Sequence, residues 1–87
     1  MRRIAHAGQR GAVAAVDEFE MLGLVASMVL RCDDCISYHI AECRNAGVTR
    51  EEFFEIFSVG LVVGGSIVIP HLRRGVDFLD QLESAAK

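Results

Sequence analysis

Cys32, Cys35 and His39 stand at i, i+3 and i+7, a spacing that lays all three on one face of a helix. Thiols at C-x-x-C spacing can close a disulfide across one helical turn with little backbone movement. At a helix N-terminus the exposed N–H groups stabilise a thiolate, so this position predicts a lowered thiol pKa. His39 lies one turn past Cys35 and can exchange a proton with that sulfur. Arg31 adds a positive charge next door. Asp33 and Asp34 work against it unless they point outward. Cys43 continues the same face.

Other chemistries compete for these residues. Attachment of a haem needs a histidine directly after the second cysteine, and Ile36 occupies that place. Zinc would have to draw on Cys32, Cys35, His39 and Cys43. One straight helix spreads those four over about 16 Å, too far for a single tetrahedral ion. Free cysteines are also common core residues, and that reading fits Cys43 best. For Cys32, Cys35 and His39 together the spacing favours thiol redox chemistry, with no metal and no organic cofactor.

The chain that must position these groups has 87 residues, enough for one small domain spanning 1–87. It is 52% hydrophobic and 24% charged, with a mean hydropathy of +0.32. Disordered chains are poor in apolar residues, so disorder is excluded. So greasy a small domain predicts a homo-oligomer, because much of a small fold's surface faces water. Nine Lys and Arg against twelve Asp and Glu give a net charge of −3, without the basic footprint of a nucleic-acid binder. The longest uncharged runs, residues 21–30 and 58–70, are ten and thirteen residues long. A membrane helix needs about 20. No apolar stretch follows the N-terminal arginines as in a secretory signal. Three cysteines, an odd number, fit a reducing, cytoplasmic compartment better than a disulfide scaffold.

The elements read as helices throughout, an all-α domain with an N-terminal arm over residues 1–16. Asp17 and Glu20 have capping-box spacing and open a mostly apolar helix to Arg31. A second helix starts at the Cys32–Asp34 break, with acids in its first turn, and runs to about Ala46, with Gly47 just past its end. Thr49 and Glu52 form the clearest capping box, ahead of a stripe of Phe53, Ile56, Phe57 and Leu61. Gly64 and Gly65 end that helix. Ser66 is placed to cap a last one with Pro70 in its first turn, Leu72, Val76, Leu79 and Leu82 inward, and Arg73, Arg74, Asp77 and Asp80 outward. His71 and Tyr38 read as surface, packing or interface residues. The apolar segment 60–69 reads as a subunit contact, with Val63 and Val68 in it.

The stretch from Glu20 through CDDCISYHIAEC, then NAGVTREEFFE and LVVGGSIVIPHL, resembles the alkylhydroperoxidase D / carboxymuconolactone decarboxylase family over residues 17–82. The redox branch of that family is similar in having a Glu twelve residues before C-x-x-C and a His four after it, the places of Glu20 and His39. The resemblance implies an all-helical fold assembled as a trimer or hexamer, the hexamer a trimer of dimers. It implies reduction of a small hydroperoxide by thiols, with electrons from a thiol–disulfide donor protein. Carried over, Cys35 is the nucleophile, Cys32 the resolving thiol, and Glu20 and His39 the proton relay. Asp34 stands where studied peroxidase members have histidine, which leaves open another thiol–disulfide exchange. The decarboxylase branch generally lacks the thiol pair. Lactone decarboxylation and a non-enzymatic thiol assembly remain the alternatives.

Overall fold

The computed structural model describes residues 16–86, so the predicted arm, apart from Val16, lies outside the described residues. Four helices follow one another: α1 (Val16–Leu30), α2 (Asp33–Asn45), α3 (Arg50–Gly64) and α4 (Ile69–Ala85). A short 3-10 turn (Ser66–Val68) joins the last two. There is no strand among the described residues, and none of their helices is long and apolar enough to cross a membrane. The all-α expectation holds.

α1 packs on both α2 and α3, and α2 also packs on α4. The core takes Met21, Leu24 and Met28 from α1, Ile36, Ile40 and Cys43 from α2, and Phe53, Ile56 and Phe57 from α3. Val68 and Leu79 close it, with Leu72, Val76 and Leu82 packed against its edge. Fully burying one such side chain contributes about 1.5–3 kcal/mol. The predicted stripes point inward except at Leu61, which is only half-buried and outside the core, its place at the end of the α3 stripe taken by the buried Gly60 against Met28. Cys43 is the core residue its position suggested.

The helix ends follow local chemistry. Thr49 accepts the Glu52 N–H at 3.2 Å while the Glu52 side chain accepts the Thr49 N–H at 2.9 Å, the reciprocal box expected there. Gly47 and Gly65 follow α2 and α3 with φ of 89° and 81°. Two expectations fail. α1 already includes Val16, so Asp17 lies inside the first turn rather than ahead of it, and the Glu20 carboxylate is turned to His39 instead of a cap. Ser66 opens the 3-10 turn without capping α4, which begins at Ile69 with Pro70 in its first turn. Val68 also belongs to this chain's own core and is fully buried, so it is no surface contact.

Candidate active site

The thiols sit where α1 hands over to α2. The Arg31 N–H bonds to Met28 O at 3.1 Å and the Cys32 N–H to Ser27 O at 3.1 Å, the pair of bonds that ends a helix with one left-handed residue. That residue is Arg31, with φ 60°, where glycine is usual. The corner is so tight that Cys32, the second residue past α1, is already the N-cap of α2. Its sulfur accepts the Cys35 N–H at 3.4 Å, and its carbonyl accepts the Ile36 N–H at 2.9 Å.

Cys32 and Cys35 are both free thiols, half-buried and exposed respectively, with their sulfurs 2.8 Å apart. The Cys35 thiol is pushed up rather than down. Its hydrogen bond to Cys32 is the main cause, followed by partial burial and by negative charge at Cys32 and Asp34. The expectation of a lowered pKa thus fails for Cys35, because the group bonded to its sulfur is the Cys32 thiol and not a helix N–H. Of the two neighbouring acids, Asp34 is exposed and acts on Cys35, whereas Asp33 is drawn away to α4. Burial and nearby acids push Cys43 up to about 12, which leaves its thiol protonated and unreactive in the core.

Glu20 and His39, nineteen positions apart, meet across the α1–α2 contact with Oε1 and Nδ1 at 2.6 Å. A carboxylate only accepts, so the ring proton sits on Nδ1 and Nε2 is left to exchange protons. No hydrogen bond joins the ring to either sulfur; it stands one turn further along α2. Tyr38 packs edge-on to it, centroids 5.2 Å apart. Gly23 of α1 makes room for the imidazole: a Cβ there would come within 2.6 Å of His39 Cε1. The ring, Glu20 and Gly23 then form one wall of an open hollow of about 440 Å³ completed by Phe19, Leu22 and Ala26. That size and apolar lining suit a small organic ligand.

Sequence reasoning missed a second carboxylate–imidazole pair. His71, read as a surface or interface residue, has its side chain only 19% exposed and places Nδ1 at 2.8 Å from Asp33 Oδ1. Arg74, one turn on, donates from Nε to Asp33 Oδ2 at 3.1 Å. These partners hold the Asp33 carboxyl below its ordinary value, the His71 bond first, against partial desolvation. Thirty-eight positions separate Asp33 from His71, so no local pattern announces the pair. The faint signal was the i, i+3 spacing of His71 and Arg74 on one face of α4.

No group of three or more His, Cys, Asp or Glu among the described residues is arranged to hold a metal ion. Of the four residues weighed for zinc, His39 is turned to Glu20 and Cys43 is in the core.

The carboxymuconolactone decarboxylase family profile matches residues 6–77. A Thermotoga maritima protein of that family, with a suggested part in the antioxidative response, has a crystal structure that superposes with a TM-score of 0.84 at 52% identity, covering 95% of this chain and 86% of that one. A second crystal structure of the same protein gives 0.83 at 52% identity, covering 95% and 73%. An uncharacterised Cupriavidus necator protein is 23% identical over 65 residues, 75% of this chain. The chain spans 58% of that relative's length. With its four-helix order and nearly its whole length matched, the chain belongs to the carboxymuconolactone decarboxylase family.

Proposed function

We propose that the protein is a thiol-dependent hydroperoxide reductase. The observation that carries the reading is the pair of free sulfurs 2.8 Å apart at the start of α2, with a carboxylate-held imidazole one turn beyond. Cys35, the exposed thiol, attacks the terminal oxygen of ROOH as its thiolate. The O–O bond breaks, ROH leaves, and Cys35 carries a sulfenic acid. Cys32 then attacks that sulfur, water leaves and the disulfide forms. In sum, ROOH and two thiols give ROH, water and one disulfide. In this reading the peroxide lies between His39 and Cys35, and the imidazole takes the thiol proton and returns it to the leaving oxygen. An external thiol–disulfide protein restores the dithiol. The antioxidative part suggested for the Thermotoga maritima protein agrees with this chemistry.

A second reading is general disulfide reduction, which needs only the two adjacent free thiols and not the His39 ring, turned as it is to Glu20 with no hydrogen bond to either sulfur. One experiment separates them. Reduced protein is mixed with an organic hydroperoxide, or with a small disulfide, and thiol loss is followed at each cysteine. Peroxidase chemistry gives rapid loss with hydroperoxide, no reaction in Cys35→Ser, and a trappable sulfenic acid on Cys35 in Cys32→Ser. Sulfenic acid on Cys32 in Cys35→Ser at full initial rate would reverse the roles, and reaction with the disulfide alone would replace the function.

We also propose a homo-oligomer, with the hexamer as the favoured form. In its support, Val62 and Val63 are 83% and 64% exposed beside Val59 and Ile67. An apolar patch of this kind on a small domain is the usual mark of a subunit contact. Sedimentation should give a species well above 9.5 kDa that Val63→Glu dissociates; a 9.5 kDa wild-type monomer at micromolar concentration would end the idea.

A further inference from the structure

We propose that Asp33, His71 and Arg74 form a positioning device that sets how readily Cys32 and Cys35 close their disulfide. The inference rests on the thiol pair being redox-active, but not on peroxide being its oxidant.

Asp33 is the first residue of α2, directly after the N-cap Cys32 and two before Cys35. Both sulfurs therefore belong to the turn that Asp33 starts. At the N-terminal end of that turn, the Cys35 N–H is taken by a sulfur at 3.4 Å, and the Ile36 N–H by the Cys32 carbonyl. A sulfur is a poorer acceptor than the oxygen of an ordinary N-cap residue, so the turn is prone to fray. Asp33 compensates by reaching α4, where His71 Nδ1 lies at 2.8 Å and Arg74 Nε at 3.1 Å. Arg74 Nη2 also lies 3.2 Å from His71 Nδ1. With the ring proton already given to Asp33, the guanidinium acts on the carboxylate and not on the ring.

The next residue of α4 shows that the two helices meet closely at this place. Gly75 is buried, and a Cβ on it would stand 3.3 Å from Ile36 Cγ2 and 3.4 Å from Ile40 Cδ1. α4 thus bears on α2 through close packing under Ile36 and through the three-residue polar cluster at Asp33. The polar cluster has its own electrostatic logic as well. It neutralises the acid nearest Cys32, while Asp34, left unpaired with α4, is the acid that raises Cys35.

The consequence follows from the chemistry of closure. Oxidation joins two sulfurs that are already 2.8 Å apart, so the disulfide is favoured as long as the turn keeps them there. A frayed turn lets Cys32 and Cys35 separate, lowers the effective concentration of one thiol at the other, and makes the disulfide easier to reduce.

The test is the equilibrium of the Cys32–Cys35 pair with reduced and oxidised glutathione, measured by trapping thiols in Asp33→Asn, His71→Ala and Arg74→Ala. Arg50→Ala serves as a control of the same kind elsewhere, because Arg50 ties the start of α3 to Asp80 and Glu83 near the end of α4. We expect the equilibrium constant for disulfide formation to fall about tenfold in Asp33→Asn and His71→Ala, roughly 30 mV toward a more easily reduced disulfide. Arg74→Lys should recover part of what Arg74→Ala loses. Arg50→Ala should leave the constant unchanged. An unchanged constant in Asp33→Asn and His71→Ala, with only a lowered Tm, would make the cluster a brace and overturn the proposal. An equal fall in Arg50→Ala would overturn it too, as general loosening. Failure of the wild-type pair to form any disulfide would instead overturn the redox reading itself.

Discussion

Two carboxylate–imidazole pairs touch the first two turns of α2, and they are built for different work. Glu20–His39 crosses to α1, has both side chains mostly shielded at 18% and 24% exposure, and faces a hollow large enough for a ligand. Asp33–His71 crosses to α4, and its carboxylate carries a second, cationic partner in Arg74. The Glu20 carboxylate orients the imidazole through Nδ1 and leaves Nε2 to exchange a proton. A carboxylate pinned by a guanidinium is held ionised, and is suited to fixing a helix in place. The proposed relay and the proposed clamp thus use the same two side-chain types at nearly the same distance, and they differ in whether a cation joins the carboxylate.

The sharpest break of that comparison is kinetic. His39→Ala should slow thiol loss with hydroperoxide by about 10²–10⁴-fold, the usual worth of a positioned acid or base. His71→Ala should leave that step within about threefold, since a positioning residue alters it only indirectly. Equal slowing in both would put His71 in the chemistry and erase the distinction. Acid titration adds a second reading. Because the Asp33 carboxyl is held below 3.8, the stability it lends is present above that pH and lost as the pH falls through its lower native value. The wild-type and Asp33→Asn melting curves should therefore differ at pH 6 and draw together below about pH 3.8.

Next in size is the effect of the acid that α4 does not neutralise. Asp34→Asn removes one of the charges raising Cys35 and leaves the sulfur–sulfur contact intact. The reaction with hydroperoxide at pH 7 should quicken about two- to fivefold, and Asp34→His should do at least as much. A slower Asp34→Asn would mean that Asp34 serves the site in some other way.

These two neighbours also show where the sequence stops being legible. The i, i+3, i+7 run of Cys32, Cys35 and His39 is a property of one helix, and the helix is there. The Thr49–Glu52 box and the Gly47 turn are equally local, and they form as read. Glu20 looked locally like a capping residue, and only the family resemblance pointed it at the site, where the structure turns its carboxylate to His39. Nothing local separates Asp33 from Asp34. One is bound and the other free of α4 because of where α4 packs, and that depends on Gly75 against Ile36 and Ile40. The thiol pKa failed for a related reason. Helix position predicts N–H groups near a thiolate, but not that the partner of the Cys35 sulfur is a second thiol.

The smallest expected effect concerns the corner that carries Cys32. Arg31 is exposed and held at φ 60°, a left-handed conformation that costs a residue with a Cβ about 1–2 kcal/mol. Glycine would relieve that cost but bring back about 0.5–1 kcal/mol of unfolded-chain entropy. Arg31→Gly should therefore stabilise the protein by up to about 1 kcal/mol, a rise of roughly 4–8 °C in Tm for a domain of this size. Neither carboxylate–imidazole pair uses Arg31, and the groups that act on Cys35 are Cys32 and Asp34 rather than the Arg31 charge expected to help it, so the peroxide rate and the glutathione equilibrium should both stay at wild-type values. If the variant is more stable but its disulfide is more easily reduced, the strained corner helps the Asp33 cluster hold the two sulfurs together. If it is less stable, the Arg31 side chain makes a contact at the corner that outweighs its backbone strain.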